Sequence, residues 1–149
     1  MRRRRTSLLI VVAFGVFAFL GISFLLARGL TGSAAERGRV LELLQAEARG
    51  DARAALSLLP ACRAEPACTR LTRARVARLA RPGAVEILTY RPSERLALTR
   101  RTGAGRVAWR AGTSRPVVQC VRVRREGPLT GGGLELLSIS DPIALEGGC

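Results

Sequence analysis

The sequence contains no lysine, no histidine and no asparagine. Without histidine or lysine, general acid and base catalysis would depend on carboxylates or on the single tyrosine, Tyr90. A zinc site is disfavoured because the chain has no histidine and no C-x-x-C pair. Aromatic residues make up 4% of the chain, too few for the stacking surface of single-strand nucleic-acid binders. The composition therefore argues against a metal, a cofactor, catalytic residues and a nucleic-acid partner.

All 25 basic residues are arginine, and with 11 acidic residues they give a formal net charge of +14. A GC-rich genome imposes the same excess of arginine, alanine and glycine through its codons, so the charge does not by itself identify a partner. A basic surface is nevertheless attracted to polyanions, and salt weakens that attraction. The partners expected on this ground are anionic lipid or an anionic wall polymer, and the extracytoplasmic position derived below adds envelope proteins.

The longest apolar run covers residues 8–26, LLIVVAFGVFAFLGISFLL, and no charge lies between Arg5 and Arg28. A helix needs about 20 apolar residues to cross a hydrocarbon layer of about 30 Å. The run therefore predicts an integral, single-pass membrane helix over 8–27. The four arginines in the basic tail, 1–7, keep the N-terminus cytoplasmic by the positive-inside rule, and the rest of the chain is extracytoplasmic. A cleaved secretory signal is the alternative, although its apolar region usually has only about 7 to 15 residues.

Four cysteines follow the apolar run, and an even number in an oxidising compartment favours disulfides. Three connectivities are possible. Cys62 and Cys68 are close in sequence, so their pairing is the most economical and leaves Cys120 with Cys149. Free structural thiols are the alternative.

A linker containing two glycines is predicted over 28–33, and one extracytoplasmic domain over 34–149. The Ser33 to Glu36 stretch has the pattern of a capping box and predicts that a helix starts there. Apolar residues then recur at helical spacing, and Glu47 falls among the polar residues on the other side.

Further helices follow this first one. Gly50 ends it, Asp51 is a suitable N-cap for a second helix over 52–59, and a third is predicted over 69–81. In the third helix the arginines occupy mostly one side, and that side is either a surface for polyanions or lipid headgroups or a solvated face. These arginines are Arg70, Arg73, Arg78 and Arg81.

From residue 84 the apolar period changes from helical to two, as in half-buried antiparallel strands. The alternating sets are Val85/Ile87/Thr89, Leu96/Leu98, Val107/Trp109/Ala111, Val117/Gln119/Val121/Val123 and Leu134/Leu136/Ser138. Helices followed by strands predict an α+β domain, with about three helices packed on a curved antiparallel sheet of about five strands.

The order of these elements, with an Ala/Leu-rich helix, the Gly50-Asp51 turn, a second such helix and then strands, resembles the NTF2-like (cystatin-like) cone fold. Small single-pass bacterial membrane proteins often carry such a domain outside the membrane. The resemblance implies a cone interior that could hold a ligand, for which Glu86, Tyr90 and Trp109 are the candidate pocket residues. No catalytic motif of the family maps onto this sequence.

The predicted function is therefore that of a membrane-anchored, extracytoplasmic domain that binds or scaffolds without catalysis. Two alternatives follow from the same residues. One is a small-ligand carrier or enzyme that uses the cone interior, and the other is a polyanion or lipid-headgroup binder that uses the arginine-rich helix.

Overall fold

A computed structural model describes residues 2–93, 101–125 and 133–149. The chain divides into two compact units, Met1–Ala35 and Glu36–Cys149. The helices are α1 (Arg2–Ala48), α2 (Ala52–Ser57), α3 (Pro60–Arg63) and α4 (Pro66–Leu79). The strands are β1 (Val85–Arg91), β2 (Arg101–Ala111), β3 (Val117–Arg125) and β4 (Leu134–Ile139). The described chain is an α+β protein whose four strands form an antiparallel sheet in the order β1-β2-β3-β4.

The first unit contains the apolar part of helix α1. Its described side chains, at 12–24, are exposed, and those of Phe14 and Phe17 are each 76% exposed. A helix must present about 20 consecutive apolar residues to cross a bilayer. Within the described residues, no helix is both long enough and apolar enough to do so. This finding overturns the predicted membrane-spanning helix over 8–27, and the predicted single-pass anchoring is left without support.

Helix α1 is continuous through residues 28–33, so the predicted helix start at Ser33 is wrong and the residues predicted as a linker are helical. Extending an existing helix adds one hydrogen bond for each residue fixed, whereas nucleating a new helix fixes several residues before the first hydrogen bond forms and is unfavourable. A glycine inside a helix costs only about 1 kcal/mol relative to alanine. The glycines at 29 and 32 therefore do not end the helix.

The C-terminal end of α1 has the geometry that the sequence predicts. Gly50 adopts a φ of 72°, which favours glycine, and its amide donates to the carbonyl of Glu47. The amide of Asp51 donates to the carbonyl of Ala46, which completes a Schellman motif. The side chain of Asp51 then accepts from the amide of Ala54 at 2.9 Å and caps α2.

Two prolines begin helices in the segment that follows. Pro60 is the first residue of α3 and Pro66 the first of α4, because the first helical turn does not need the N–H group that proline lacks. The helix predicted over 69–81 therefore begins earlier, at Pro66. A short extra helix, α3, lies between it and α2.

Both disulfides form in the pairing that the sequence favours, Cys62 with Cys68 and Cys120 with Cys149. The first joins α3 to α4, and the second ties the end of the chain to β3. In the loop-entropy description the two bridges stabilise the fold by about 2 and about 4 kcal/mol. Disulfides persist in oxidising compartments, so their presence fits an extracytoplasmic environment.

The core of the second unit lies between one face of the sheet and the helices. Val107 and Trp109 on β2 share this face with Val121 on β3, and all three are fully buried. Helix α1 contributes Leu43 and Leu44 to the same apolar cluster. Helices packed on one face of an antiparallel sheet are the arrangement that the sequence predicts.

Two β-bulges decide which strand residues face the core. The register between β1 and β2 shifts before Thr89, so Tyr90 pairs with Val107 and shares its inward face. A second shift between β3 and β4 gives the inward position to Ile139 rather than to Ser138. The inward positions predicted for Thr89 and Ser138 are therefore wrong, because one extra residue in a strand reverses the alternation beyond it.

Some sequence predictions fall outside the described residues. The strand predicted at Leu96 and Leu98 is one of them, so four of the five predicted strands are described.

Candidate functional site

Helix α1 buries two carboxylates in the second unit. Glu36 and Glu47 are each 0% exposed. They are eleven residues apart, and at about 100° per residue this spacing brings them to nearly the same side of the helix, three turns apart. The sequence assigns Glu36 to a capping box and Glu47 to the polar side, so both burials were missed. The available signal was their shared side with the apolar residues Val40 and Leu44.

Glu36 accepts hydrogen bonds from residues at or just beyond the ends of two strands, β1 and β3. The hydroxyl of Tyr90 and the amide of Ser93 donate to its Oε1, the latter at 3.0 Å, and the guanidinium of Arg125 donates to its Oε2. The hydroxyl of Ser93 lies 3.3 and 3.2 Å from the two oxygens. This cluster ties the ends of β1 and β3 to α1.

The donors around Glu36 keep it ionised. Burial raises the pKa of Glu36, but the hydrogen bonds from Tyr90, Ser93 and Arg125 outweigh burial and hold the pKa below its ordinary value. The same burial, together with the adjacent Glu36 carboxylate, raises the pKa of Tyr90. Glu36 is therefore an ionised, fully buried carboxylate that accepts several hydrogen bonds, next to a protonated and half-buried phenol.

Glu47 occupies a second polar cluster in the core. Arg75 donates from Nε to its Oε1 at 2.7 Å, and Gln119 donates from Nε2 to its Oε2 at 3.1 Å. Gln119 in turn accepts from the indole of Trp109 at 2.7 Å and donates to the carbonyl of Ser140 at 2.9 Å. Burial raises the pKa of Glu47 despite the attraction of Arg75.

The two buried carboxylates have opposite pKa shifts, a pattern that in many enzymes separates an acid from a base. Their spacing excludes that role, because eleven residues along a helix separate them by about 16 Å. Cooperating carboxylates in glycoside hydrolysis lie within about 10 Å. We therefore assign both clusters to the packing of α1 on the sheet.

The predicted pocket residues lie in three different surroundings. Trp109 is fully buried in the core. Tyr90 is half-buried against Glu36. Glu86 is exposed and pairs with Arg110 at 2.7 Å. Neither of the two cavities described below is lined by Glu86, Tyr90 or Trp109.

The four arginines predicted to form a basic face also have different surroundings. Arg78 pairs with Asp141 at 2.7 Å, and Arg81 donates to the carbonyl of Arg115 at 3.0 Å. Arg70 and Arg73 are exposed. Two of the four arginines therefore have partners within the described chain, and two do not.

One cavity is lined by Thr69 and Arg73 of α4 together with two arginines that sequence reasoning missed, Arg53 and Arg63. The cavity, of about 490 Å³, lies among α2, α3 and α4. We call it the arginine groove, and its lining residues are Arg53, Leu56, Ser57, Arg63, Thr69 and Arg73. Arg63 follows Cys62, and Thr69 follows Cys68 on α4, so the expected pairing of these two cysteines was the signal that could have joined the residues.

A second cavity, of about 530 Å³, lies between the sheet and the C-terminal segment. Arg106, one of the two arginines that line it, donates from Nε to the carbonyl of Gly147 at 3.0 Å and also donates to the carbonyl of Leu145. The end of the chain therefore already occupies this guanidinium. Among the described residues, no group of three His, Cys, Asp or Glu side chains could hold a metal ion.

Comparison with known proteins gives no relative. No protein-family model, no curated protein and no solved structure matches the chain. The geometry of the described residues therefore has to support any functional assignment on its own.

Proposed function

We propose that the second unit, Glu36–Cys149, is an extracytoplasmic, non-catalytic domain that binds or scaffolds. The observation that supports this proposal most directly is the pairing of all four cysteines in two disulfides. Such pairing is rare in the reducing cytosol and common in small domains outside it.

The polar chemistry of the described interior supports the non-catalytic part of the proposal. Glu36 and Glu47 are both fully buried and both hydrogen-bonded by several donors. The space between α1 and the sheet is filled by side chains, among them Trp109, Leu43 and Leu44. A carrier or an enzyme with an interior site would need an open, accessible pocket in that space.

Trapping of thiols in living cells tests the compartment. The full-length chain is produced in bacterial cells, quenched with acid, and treated with a polymer-linked maleimide before and after reduction. We expect no adduct before reduction and four after it, because the four cysteines are paired. The Cys149→Ser variant is the control, since it frees Cys120 and should give one adduct without reduction. Four adducts on the unreduced wild-type chain would contradict the proposal.

A further inference from the structure

We propose that the arginine groove binds a phosphate monoester. This inference names a ligand class for the binding role proposed above and rests on that role.

Three separate helices bring the arginines of the groove together. On α2, Arg53 and Ser57 are four residues apart and share one side, and on α4 the same holds for Thr69 and Arg73. Arg63 closes the groove from the last turn of α3. Arginines from three helices therefore line one cavity.

The side chains of Arg53, Arg63 and Arg73 are without a partner in the part of the chain that the structure describes. Among the described residues, no ion pair or hydrogen bond joins the side chain of Arg53, Arg63 or Arg73 to a partner. None of the described residues that line the groove is acidic. The neighbouring Arg78, by contrast, already has its carboxylate partner. The groove thus contains three arginines with no ion-pair partner among the described residues.

The hydroxyl groups of the lining leave the donating role to the arginines. Ser57 donates to the carbonyl of Ala54 at 2.7 Å, and Thr69 donates to the carbonyl of Cys62 at 3.2 Å. Each hydroxyl has only one proton, so both are available to a ligand only as acceptors. An anion in the groove must therefore be held by guanidinium groups.

The number of arginines favours phosphate over carboxylate. Each guanidinium is a planar fork that can donate two parallel hydrogen bonds to an oxyanion. Three forks from three helices match the three peripheral oxygens of a phosphate monoester, whereas a carboxylate offers only two oxygens. A volume of about 490 Å³ leaves room for the organic group of the ester beside the apolar side chain of Leu56.

The disulfide holds the groove in shape before any ligand arrives. Cys62 precedes Arg63, Cys68 precedes Thr69, and the bond between the two cysteines fixes α3 against α4. Because the lining elements are already held together, binding loses less conformational entropy than it would on a loose loop.

Calorimetry on the full-length chain tests the inference with matched variants. The soluble probes are inorganic phosphate and glycerol 3-phosphate, and malonate is the carboxylate control. Vesicles of phosphatidylcholine with or without phosphatidic acid present the same phosphate group on a lipid. The key variant is Arg73→Gln, and its control is Arg70→Gln, because Arg70 is exposed on the same helix but does not line the groove.

We expect both phosphate probes to bind more tightly than malonate. Arg73→Gln should weaken binding about three- to tenfold, as expected for loss of a charged hydrogen-bond donor near the surface. Arg70→Gln should change affinity less than about twofold, because exposed charges outside contact distance are screened. Binding seen only with phosphatidic acid vesicles, and sensitive to Arg73→Gln, would identify a lipid headgroup as the source of the phosphate. The N-terminal helix is identical in both variants, so its own effect on vesicle binding cancels.

Two results would overturn the inference. One is the absence of binding to every phosphate probe, and the other is an equal loss in Arg70→Gln and Arg73→Gln, which would indicate diffuse attraction to a basic surface. If phosphate fails to bind while the four cysteines remain paired in cells, this inference is wrong and the proposed function stands. Unpaired cysteines in cells would instead overturn the proposed function.

Discussion

Replacing Arg75 with methionine tests whether the buried ion pair holds the domain together. Arg75 is 5% exposed and donates to the carboxylate of Glu47 at 2.7 Å and to the carbonyl of Ile139 at 2.8 Å. Methionine is an unbranched side chain like the aliphatic part of arginine, but it has neither the hydrogen-bond donors nor the charge of the guanidinium group. Glu47 would then lie in the core with only the Gln119 amide, at 3.1 Å, as a hydrogen-bond donor and with no cation beside it.

The expected loss follows from the burial of both partners. Removing one partner of a buried ion pair destabilises a protein by about 3 to 5 kcal/mol, because the other charge stays buried without compensation. A domain of this kind is stable by about 5 to 15 kcal/mol in total, so the variant should lose at least about a fifth of its stability. Arg78→Met on the same helix is the matched control. Its ion pair with Asp141 is mostly exposed, and we expect a loss of at most about 1 kcal/mol.

Urea denaturation at pH 7 measures the free energy of unfolding of both variants. Unfolding is monitored by far-UV circular dichroism and by the fluorescence of Trp109, whose indole donates to Gln119. The double variant Glu47→Gln/Arg75→Met should lose less stability than Arg75→Met alone, because a neutral glutamine no longer leaves a buried charge. Coupling between the two positions should exceed about 1 kcal/mol. The reasoning is refuted if Arg75→Met costs no more than Arg78→Met, or if the losses at positions 47 and 75 simply add.

Two further predictions concern the buried carboxylates. Because the pKa of Glu36 is lowered in the folded state, its stabilising contribution is present above the ordinary pKa of 4.5 and is lost as the pH falls through its folded pKa. The pKa of Glu47 is raised, so its contribution has the opposite dependence. It is present below 4.5 and is lost as the pH rises through the folded pKa. Urea denaturation at a series of pH values from 7 to 3 measures the free energy of unfolding of wild type, Glu36→Gln and Glu47→Gln. As the pH falls, the difference between wild type and Glu36→Gln should shrink, and the difference between wild type and Glu47→Gln should grow. Two differences that change in the same direction would contradict the assignment. Tyr90→Phe should cost about 1.5 to 3 kcal/mol at pH 7, because a buried carboxylate loses a donor, and a loss below about 0.5 kcal/mol in the same assay would show that the hydroxyl is not needed.

The predictions that depend on local chemistry agree with the structure most closely. Gly50 and Asp51 end one helix and begin the next as expected, because backbone freedom and a capping side chain act on their immediate neighbours. The disulfide pairing was accessible in the same way, since Cys62 and Cys68 are close in sequence. The resemblance to the NTF2-like family stays a prediction.

The buried polar residues and the residues of the arginine groove were harder to predict, since their surroundings are formed by residues far away in the sequence. Arg75 looks like one more solvated arginine in α4, yet it is buried because Glu47 lies opposite it on α1. Arg53 and Arg73 belong to the same groove, although nothing in their local sequence pattern connects them. Periodicity records which side of a helix is apolar, and it does not record which charges have partners elsewhere.

By itself, the amino-acid sequence determined the α+β class, the position of the turn between α1 and α2, and the presence of disulfide-forming cysteines, because each depends on composition or on residues close along the chain. Only the tertiary structure decided that Tyr90 faces inward, that two glutamates are buried, and that three arginines from three helices share one groove. The physical reason is that bulges, buried charges and convergent side chains are set by contacts between segments far apart in the sequence, where the local pattern has no information about the partner.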